Sequence, residues 1–274
     1  MMNELQDYQP DLFIVYSGQN EFLEQRSYGT LQQLPAWMIN LDATMSSTRI
    51  YTAMKLAMDA IRPASGDISL KRDELNGEVD ELLNHTLGPE SYYRDEQLKQ
   101  QVIMHYRLNL RRIAKIADSV GAGIVFVKPV VNIRNISPFK SEHRNDLEPD
   151  ALMQWQLLYN AARNLQQAGR LDEALVKYRA ALAIDDRYAD LHFRTGQVLF
   201  EQLRYDEAET AFRRAVEEDV APLRILALMQ QTVEDVAAVE DAPLIDFPAI
   251  LRKAYLDEYG HTVFGSEYFT DHVH

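Results

Sequence analysis

Two short stretches at opposite ends of the sequence carry residue types suited to acyl chemistry. Near the start, Gly18-Gln19-Asn20-Glu21 follows directly on an apolar run. Gly18 allows close backbone approach, and the Asn20 amide NH₂ is a donor for an oxyanion. At the end, Phe269-Thr270-Asp271-His272-Val273-His274 places Asp271 three residues before His274. In a tight turn such a carboxylate can hold its histidine in the tautomer of a general base. Each stretch also has a plainer reading. Asn and Gly are ordinary turn formers. His272 and His274 alternate, as two metal ligands on one strand face would, with His261 or Asp271 as a third. Ser17 is the only serine before Gly18, on the strand that leads into the Asn20 block, and is not expected to be a nucleophile.

Composition narrows the chemistry further. The 274 residues contain no Cys, so disulfides, thiolate metal sites and cysteine nucleophiles are excluded. With 28 Lys+Arg against 42 Asp+Glu the formal charge is −14, which opposes binding to phosphate backbones, and no nucleic-acid partner is expected. The longest basic cluster, Arg107, Arg111, Arg112 and Lys115, reads as a solvated helix face. No run of 18 apolar residues occurs and the first residues are polar and acidic, so neither a membrane span nor a signal peptide is read, and the compartment stays open.

The elements that must position these residues follow from hydrophobic periodicity. Leu12-Phe13-Ile14-Val15-Tyr16 and Gly123-Ile124-Val125-Phe126-Val127 read as short buried strands, the second trailing into Val130-Val131 across Pro129, and Leu244-Ile245-Asp246-Phe247 as a third. Helices are expected over 44–61, with Met45, Ile50, Met54 and Met58 at helical spacing, over Glu96–Ser119 with Gly121 as cap, over 223–238, and over 248–259 up to Gly260. Along Glu96–Ser119 the apolar stripe is Val102, Ile103, Tyr106, Leu110, Ile113 and Ile116. Residues 62–93 read as an irregular connection. Strands separated by long helical stretches imply crossovers and a parallel sheet, so the outer frame is expected to be α/β. The scattered His85, His105, His143 and His192 read as surface or packing residues, and the loop Lys140-Ser141-Glu142-His143 either lines a cleft or is structural.

Between the second and third strands the sequence repeats itself at an offset of 34 residues. Ala162, Leu165, Ala174, Tyr178 and Ala181 match Gly196, Leu199, Ala208, Phe212 and Ala215. Small residues at fixed positions let paired helices approach, and large ones fill the space between them. This resembles the tetratricopeptide repeat (TPR), over Trp155–Tyr188 and Ala189–Pro222. Two departures stand out: the turn Gly at 169 becomes Leu203, and the closing-turn Pro is Asp186 and Val220.

Taken together, Tyr16-Ser17-Gly18-Gln19-Asn20-Glu21-Phe22, Pro138-Phe139-Lys140-Ser141-Glu142-His143 and Asp271-His272-Val273-His274 resemble the SGNH (GDSL-type) hydrolase superfamily, in a branch with inserted TPR repeats. The resemblance implies a flavodoxin-like three-layer α/β frame, with parts at 1–150 and 223–274 around an all-α insertion at 151–222. It implies that Gly18 and Asn20 belong to the block whose asparagine, Asn20, helps bind the oxyanion, that Asp271 orients His274, and that His274 acts as general base, with no cofactor or metal. The implied substrate is an ester or an acylated carbohydrate. Full-length members of the superfamily include membrane-anchored and secreted proteins. The nucleophile block of the family, Gly-Asp-Ser, is not found, so the sequence reads as a fragment that lacks its first strand and is inactive alone. The alternatives are a TPR interaction scaffold whose α/β part is non-catalytic, binding a protein or peptide through 151–222, and a polysaccharide O-acyltransferase.

Overall fold

A computed structural model describes residues 5, 8–22 and 92–273. The helix expected over 44–61, the connection over 62–91, His85 and His274 lie outside the described residues. Three parallel strands, β1 (Leu12–Val15), β2 (Gly123–Val127) and β3 (Leu244–Ile245), form one sheet in the order β1-β2-β3. Phe13 pairs with Ile124, Val15 with Phe126 and Phe126 with Leu244, so Phe13 and Phe126 share the buried face. The expected parallel sheet is present but small, and the described chain is mostly helical.

Helix α1 (Glu96–Ser119) covers that face of the sheet, starting where the Asp95 carboxylate accepts from the Leu98 N–H at 2.8 Å. Its buried stripe is Val102, Ile103, Tyr106, Leu110, Ala114 and Ala117. The C-terminal half is therefore turned from the expected phase, with Ile113 and Ile116 only half-buried. Alanines at the contact let the helix lie close to its neighbours, which bulkier isoleucines would hold off. Gly121 caps the helix at φ 70°, and β2 follows at once. Val130 and Val131 are buried but do not extend β2, because Pro129 interrupts the strand and cannot donate to a ladder.

Next come four helices in two antiparallel pairs, α2 (Pro149–Gln167) with α3 (Leu171–Leu182) and α4 (Ala189–Glu201) with α5 (Tyr205–Glu217). The matched positions of the 34-residue offset are their interior. Ala162, Ala174, Tyr178 and Ala181 in the first pair, and Ala208 and Phe212 in the second, are all 0% exposed. A Cβ on Gly196 would stand 2.8 Å from the Phe212 ring, so the glycine sets how closely α4 and α5 approach.

The departures at Leu203 and Val220 each have a structural resolution. Leu203 adopts φ 60°, the left-handed conformation that Gly169 reaches at φ 72°, so the turn is kept at a cost of about 1–2 kcal/mol for the non-glycine residue. The closing-turn position cannot be proline in the second repeat, because the Val220 N–H donates to the Lys140 carbonyl at 2.9 Å. That bond is made by a donor proline lacks.

Helix α6 (Ala227–Val239) returns to the sheet and packs on α1 and β2. It begins four residues later than expected because 221–226 runs as non-helical chain. The Arg107 and Arg111 side chains are not simply solvated: they reach Asp235 at 3.0 Å and Glu240 at 2.8 Å across to α6 and its end. Helix α7 (Phe247–Tyr259) starts on the Asp246 cap, which removes residues 246–247 from the expected third strand, and stops at Gly260 with φ 72°.

Candidate functional site: a strand-end cluster and a helical-repeat surface

The carboxyl end of β1 leads into Tyr16-Ser17-Gly18-Gln19-Asn20. Gly18 is buried at φ 119°, and a Cβ there would lie 2.8 Å from both the Ile225 Cδ1 and the Tyr106 hydroxyl oxygen. No other residue fits that conformation in that space. The Tyr106 hydroxyl donates to the Ser17 carbonyl at 2.7 Å, and burial raises its pKa. Ser17 is thus held by its backbone beside α1. Asn20 is exposed, with its amide free of the buried clasp that its neighbour makes. That neighbour, Gln19, is the tether: its Nε2 donates to the Val130 carbonyl at 2.9 Å, and its Oε1 accepts from the Ile225 N–H at 2.8 Å.

The final block reaches the same place. Asn132, 2% exposed, donates from its backbone N–H to the His272 carbonyl at 3.0 Å and from Nδ2 to the Asp271 carbonyl at 3.3 Å. The Asp271 carboxylate accepts from the Val273 N–H at 2.8 Å, closing a tight turn, and the His272 ring meets Phe139 edge-on at 5.6 Å between centroids. Gln19, which lies between Gly18 and Asn20, and the backbone of Asp271 and His272 are therefore both bonded to the segment Val130–Asn132. His261 is elsewhere. It sits among Phe200, Tyr205 and Tyr255 with its Nδ1 accepting from the Val263 N–H, and burial and the nearby Arg134 lower its pKa. It does not join Asp271 and His272, and among the described residues no cluster of three His, Asp or Glu is placed to hold a metal.

Sequence reasoning did not single out Gln19, Asn132 or Arg224, and Arg224 is the most consequential of them. Its side chain is 1% exposed, donates from Nη1 to the Asn132 carbonyl at 3.2 Å and the Ile136 carbonyl at 2.9 Å, and lies 3.5 Å from Asp219. Asp219 in turn accepts from the backbone N–H groups of Phe139, Lys140 and Ala221 at 2.8–3.1 Å. Burial raises the Asp219 carboxyl pKa against those bonds, and burial likewise lowers the Arg224 pKa against the pull of Asp219. The exit of the second repeat is thereby locked to the loop that carries Asn132.

The repeats present their own surface. On α2 and α4, Tyr159 donates to Asp190 and accepts from Arg194 Nε at 2.9 Å, while Arg194 pairs with Asp190 at 2.6 Å. The Arg163 guanidinium stands 5.8 Å over the Tyr159 ring, and its buried Nε has no hydrogen-bond partner. Tyr178 reaches Gln166 at 2.7 Å, and burial pushes its pKa up to about 12. Elsewhere the chain packs on its own repeats. Arg134 stacks on Phe200 at 4.5 Å, and the Ser141 hydroxyl accepts from the Asp190 N–H at 2.9 Å. His143 pairs with buried Asp185 at 2.7 Å and rests on Trp155 and Tyr188 at 4.5–4.6 Å between centroids. Burial works to raise the Asp185 pKa, but the His143 bond and the Arg187 N–H outweigh it and hold the carboxyl low. The loop Lys140–His143 is thus a structural clip, the second of its two expected roles.

Comparison with known proteins bears on the repeats alone. A family model described as TPR repeat matches residues 163–203, and one described as tetratricopeptide repeat matches residues 189–219. The first match runs from the end of α2 through α3 and α4, and the second covers α4 and α5, within the region that the 34-residue offset marks. No curated protein and no solved structure matches the chain. Nothing in these comparisons supports the SGNH resemblance.

Proposed function

We propose that the chain is a protein-interaction scaffold, in which the TPR pair at 151–222 is inserted between α/β parts at 1–150 and 223–274. The observation that carries the reading is the pair itself: two matched repeats with packed interiors, presenting Arg163, Gln166 and Arg194 beside the buried Tyr159. Helix pairs of this kind bind extended peptides or partner helices on the surface between neighbouring first helices. Arg163 brings a positive charge to that surface: its guanidinium lies over the Tyr159 ring, and its buried Nε makes no bond among the described residues. Tagged full-length chain is expected to capture a protein from its native extract that the Arg163→Glu variant does not retain. Identical captures by the two forms would contradict the reading.

A second reading, SGNH-type acyl transfer to water or to a polysaccharide, is favoured by one feature: Gln19 beside Asn20, and the backbone of Asp271, both bond within Val130–Asn132 at the carboxyl end of β2. Ligands of parallel α/β sheets bind at that end. In this reading Asp271 orients His274, His274 relays the proton of a serine nucleophile supplied by a block that this sequence does not contain, and Asn20 binds the oxyanion. In a form that carries such a block, Asn20→Ala is expected to cut turnover of a p-nitrophenyl ester by roughly 10²–10³, and His274→Ala, which removes the general base, by considerably more. Undiminished turnover in either variant would sink it.

A further inference from the structure

We propose that the strap Ser141–His143 is a proton-controlled closure over one end of the repeat surface: it stays shut while His143 is an imidazolium and lifts when the ring is neutral. This stretch is lightly held. Val130, Val131, Asn132 and Ile133 are all buried, whereas no residue from Arg134 to His143 is, and from Arg144 to Asp150 all but Leu147 are exposed. The stretch is pinned where the Phe139 and Lys140 N–H groups donate to Asp219. Beyond that pin the strap has no regular structure and rests on the repeats through a few contacts. Ser141 Oγ accepts from the Asp190 N–H at 2.9 Å, and Glu142 accepts from the Arg94 N–H at 2.8 Å and pairs with Lys140 at 2.9 Å. His143 lies against Trp155 and Tyr188, with Asp185 at 2.7 Å. A segment pinned at one point and exposed beyond it can open without unfolding the helices it covers.

The surroundings of the ring decide which protonation state closes the strap. The Asp185 side chain is fully buried, and as a carboxylate it can only accept. Nδ1 of His143 therefore carries a hydrogen in both states of the ring, and the proton that comes and goes is the one on Nε2. The neutral ring keeps the hydrogen bond to Asp185. The imidazolium strengthens that bond with its charge and sets a cation 4.5–4.6 Å from two aromatic centroids. Other charges nearby are already matched: Arg187 reaches Glu218 and Glu96, Arg94 reaches Glu218, Arg144 reaches Asp146, and Asp190 reaches Arg194. Tyr159 and Tyr188, which pack on Trp155, stay neutral because burial raises the pKa of both. Histidine is the side chain that changes charge between about pH 5 and 8. The shut strap holds the proton more tightly than the open one, so closure is strongest at low pH and weakens as pH rises. Beneath the strap are Tyr188 and the buried Trp155, one turn of α2 before Tyr159. That lifting it widens the surface offered to a partner rests on the scaffold reading; the closure itself does not.

The test is amide hydrogen exchange, read by mass spectrometry on the full chain at about pH 5.5 and about pH 8, with rates corrected for the intrinsic effect of pH. Over residues 141–147 opening is expected to be roughly tenfold more frequent at the higher pH, the order of the extra strength of a charged hydrogen bond, while α4 and α5 open equally at both. His143→Gln removes the titrating ring and should leave the strap open to the same degree at either pH. Asp185→Asn keeps the shape and one acceptor oxygen but not the charge, and should flatten the response as well. Circular dichroism checks that each variant folds, and should His143→Gln fail to, Asp185→Asn carries the comparison. No partner is needed, so this result and the Arg163→Glu capture fail separately. Equal opening of the wild type at the two pH values, more opening at the lower one, or a pH response that persists in either variant would each overturn the inference.

Discussion

Replacing Arg224 by Ala is expected to lower the unfolding free energy by about 3–5 kcal/mol, read as a drop in urea midpoint at unchanged slope. The size follows from what is left behind. Asp219 would keep its buried charge without a cationic neighbour, and the Asn132 and Ile136 carbonyls would lose their shared donor. Each uncompensated buried group costs about 1–3 kcal/mol, more when charged. Arg224→Lys keeps the charge, but one ammonium cannot stand both where Nη1 meets the two carbonyls and where Nη2 approaches Asp219, so it should recover only part of the loss. The damage should also be directional. Asn132 holds the backbone of Asp271 and His272, so amide exchange should quicken in the last residues of the chain as well as at the repeat exit. A loss below about 1 kcal/mol would mean that the cluster is relaxed and that the repeats are tied to the sheet by other contacts.

Gly18→Ala is the second large effect, expected at about 3 kcal/mol, the combined order of a forced left-handed residue and an overpacked core. At φ 119° an L side chain is strained whatever the space around it. Here the new methyl would also meet Ile225 Cδ1 and the Tyr106 hydroxyl at 2.8 Å, and Tyr106 is 2% exposed, with no room to withdraw. Displacing it would break its bond to the Ser17 carbonyl and pull Gln19 off Val130 and Ile225. Thermal unfolding measures the loss. If the variant melted with the wild type, the close approach of β1's end to α1 would be wrong.

The parts of this fold legible in the sequence are those whose cause is local or periodic. The repeats showed themselves because Ala162, Ala174, Tyr178 and Ala181 recur as Gly196, Ala208, Phe212 and Ala215, and close helix packing tolerates few substitutes there. The strands Leu12–Val15 and Gly123–Val127 showed themselves as short β-rich runs between breakers. Contacts between distant residues leave no such trace. Gln19 meets Ile225 across 206 positions and Arg224 meets Asn132 across 92, and neither residue type is unusual where it stands. The one-residue change of phase by which α1 buries Ala114 and Ala117 in place of Ile113 and Ile116 depends on how near its neighbours come, which periodicity does not encode. Gly18 was legible as a glycine after a strand, but its reason, the Tyr106 and Ile225 walls, was not. Asn20 and Asp271 were legible as residue types with a chemistry. That Gln19, beside Asn20, and the Asp271 backbone both bond to Val130–Asn132 emerges only from the tertiary structure.

The repeats are tied to the rest of the chain at their exit, through the Arg224–Asp219 cluster, and at their midpoint, through the His143–Asp185 clip. A scaffold of this kind holds its binding surface in fixed relation to the sheet. The central claim is that a protein partner engages the Arg163 side of the pair. It is tested most directly by titrating the captured partner, in solution, against the intact chain and two charge variants matched in size of change. Arg163→Glu is expected to raise the dissociation constant at least about tenfold, the equivalent of roughly 1.4 kcal/mol, while Lys177→Glu, exposed on α3 away from that side, leaves it unchanged. Equal dissociation constants for wild type and Arg163→Glu, or a loss confined to Lys177→Glu, would contradict it.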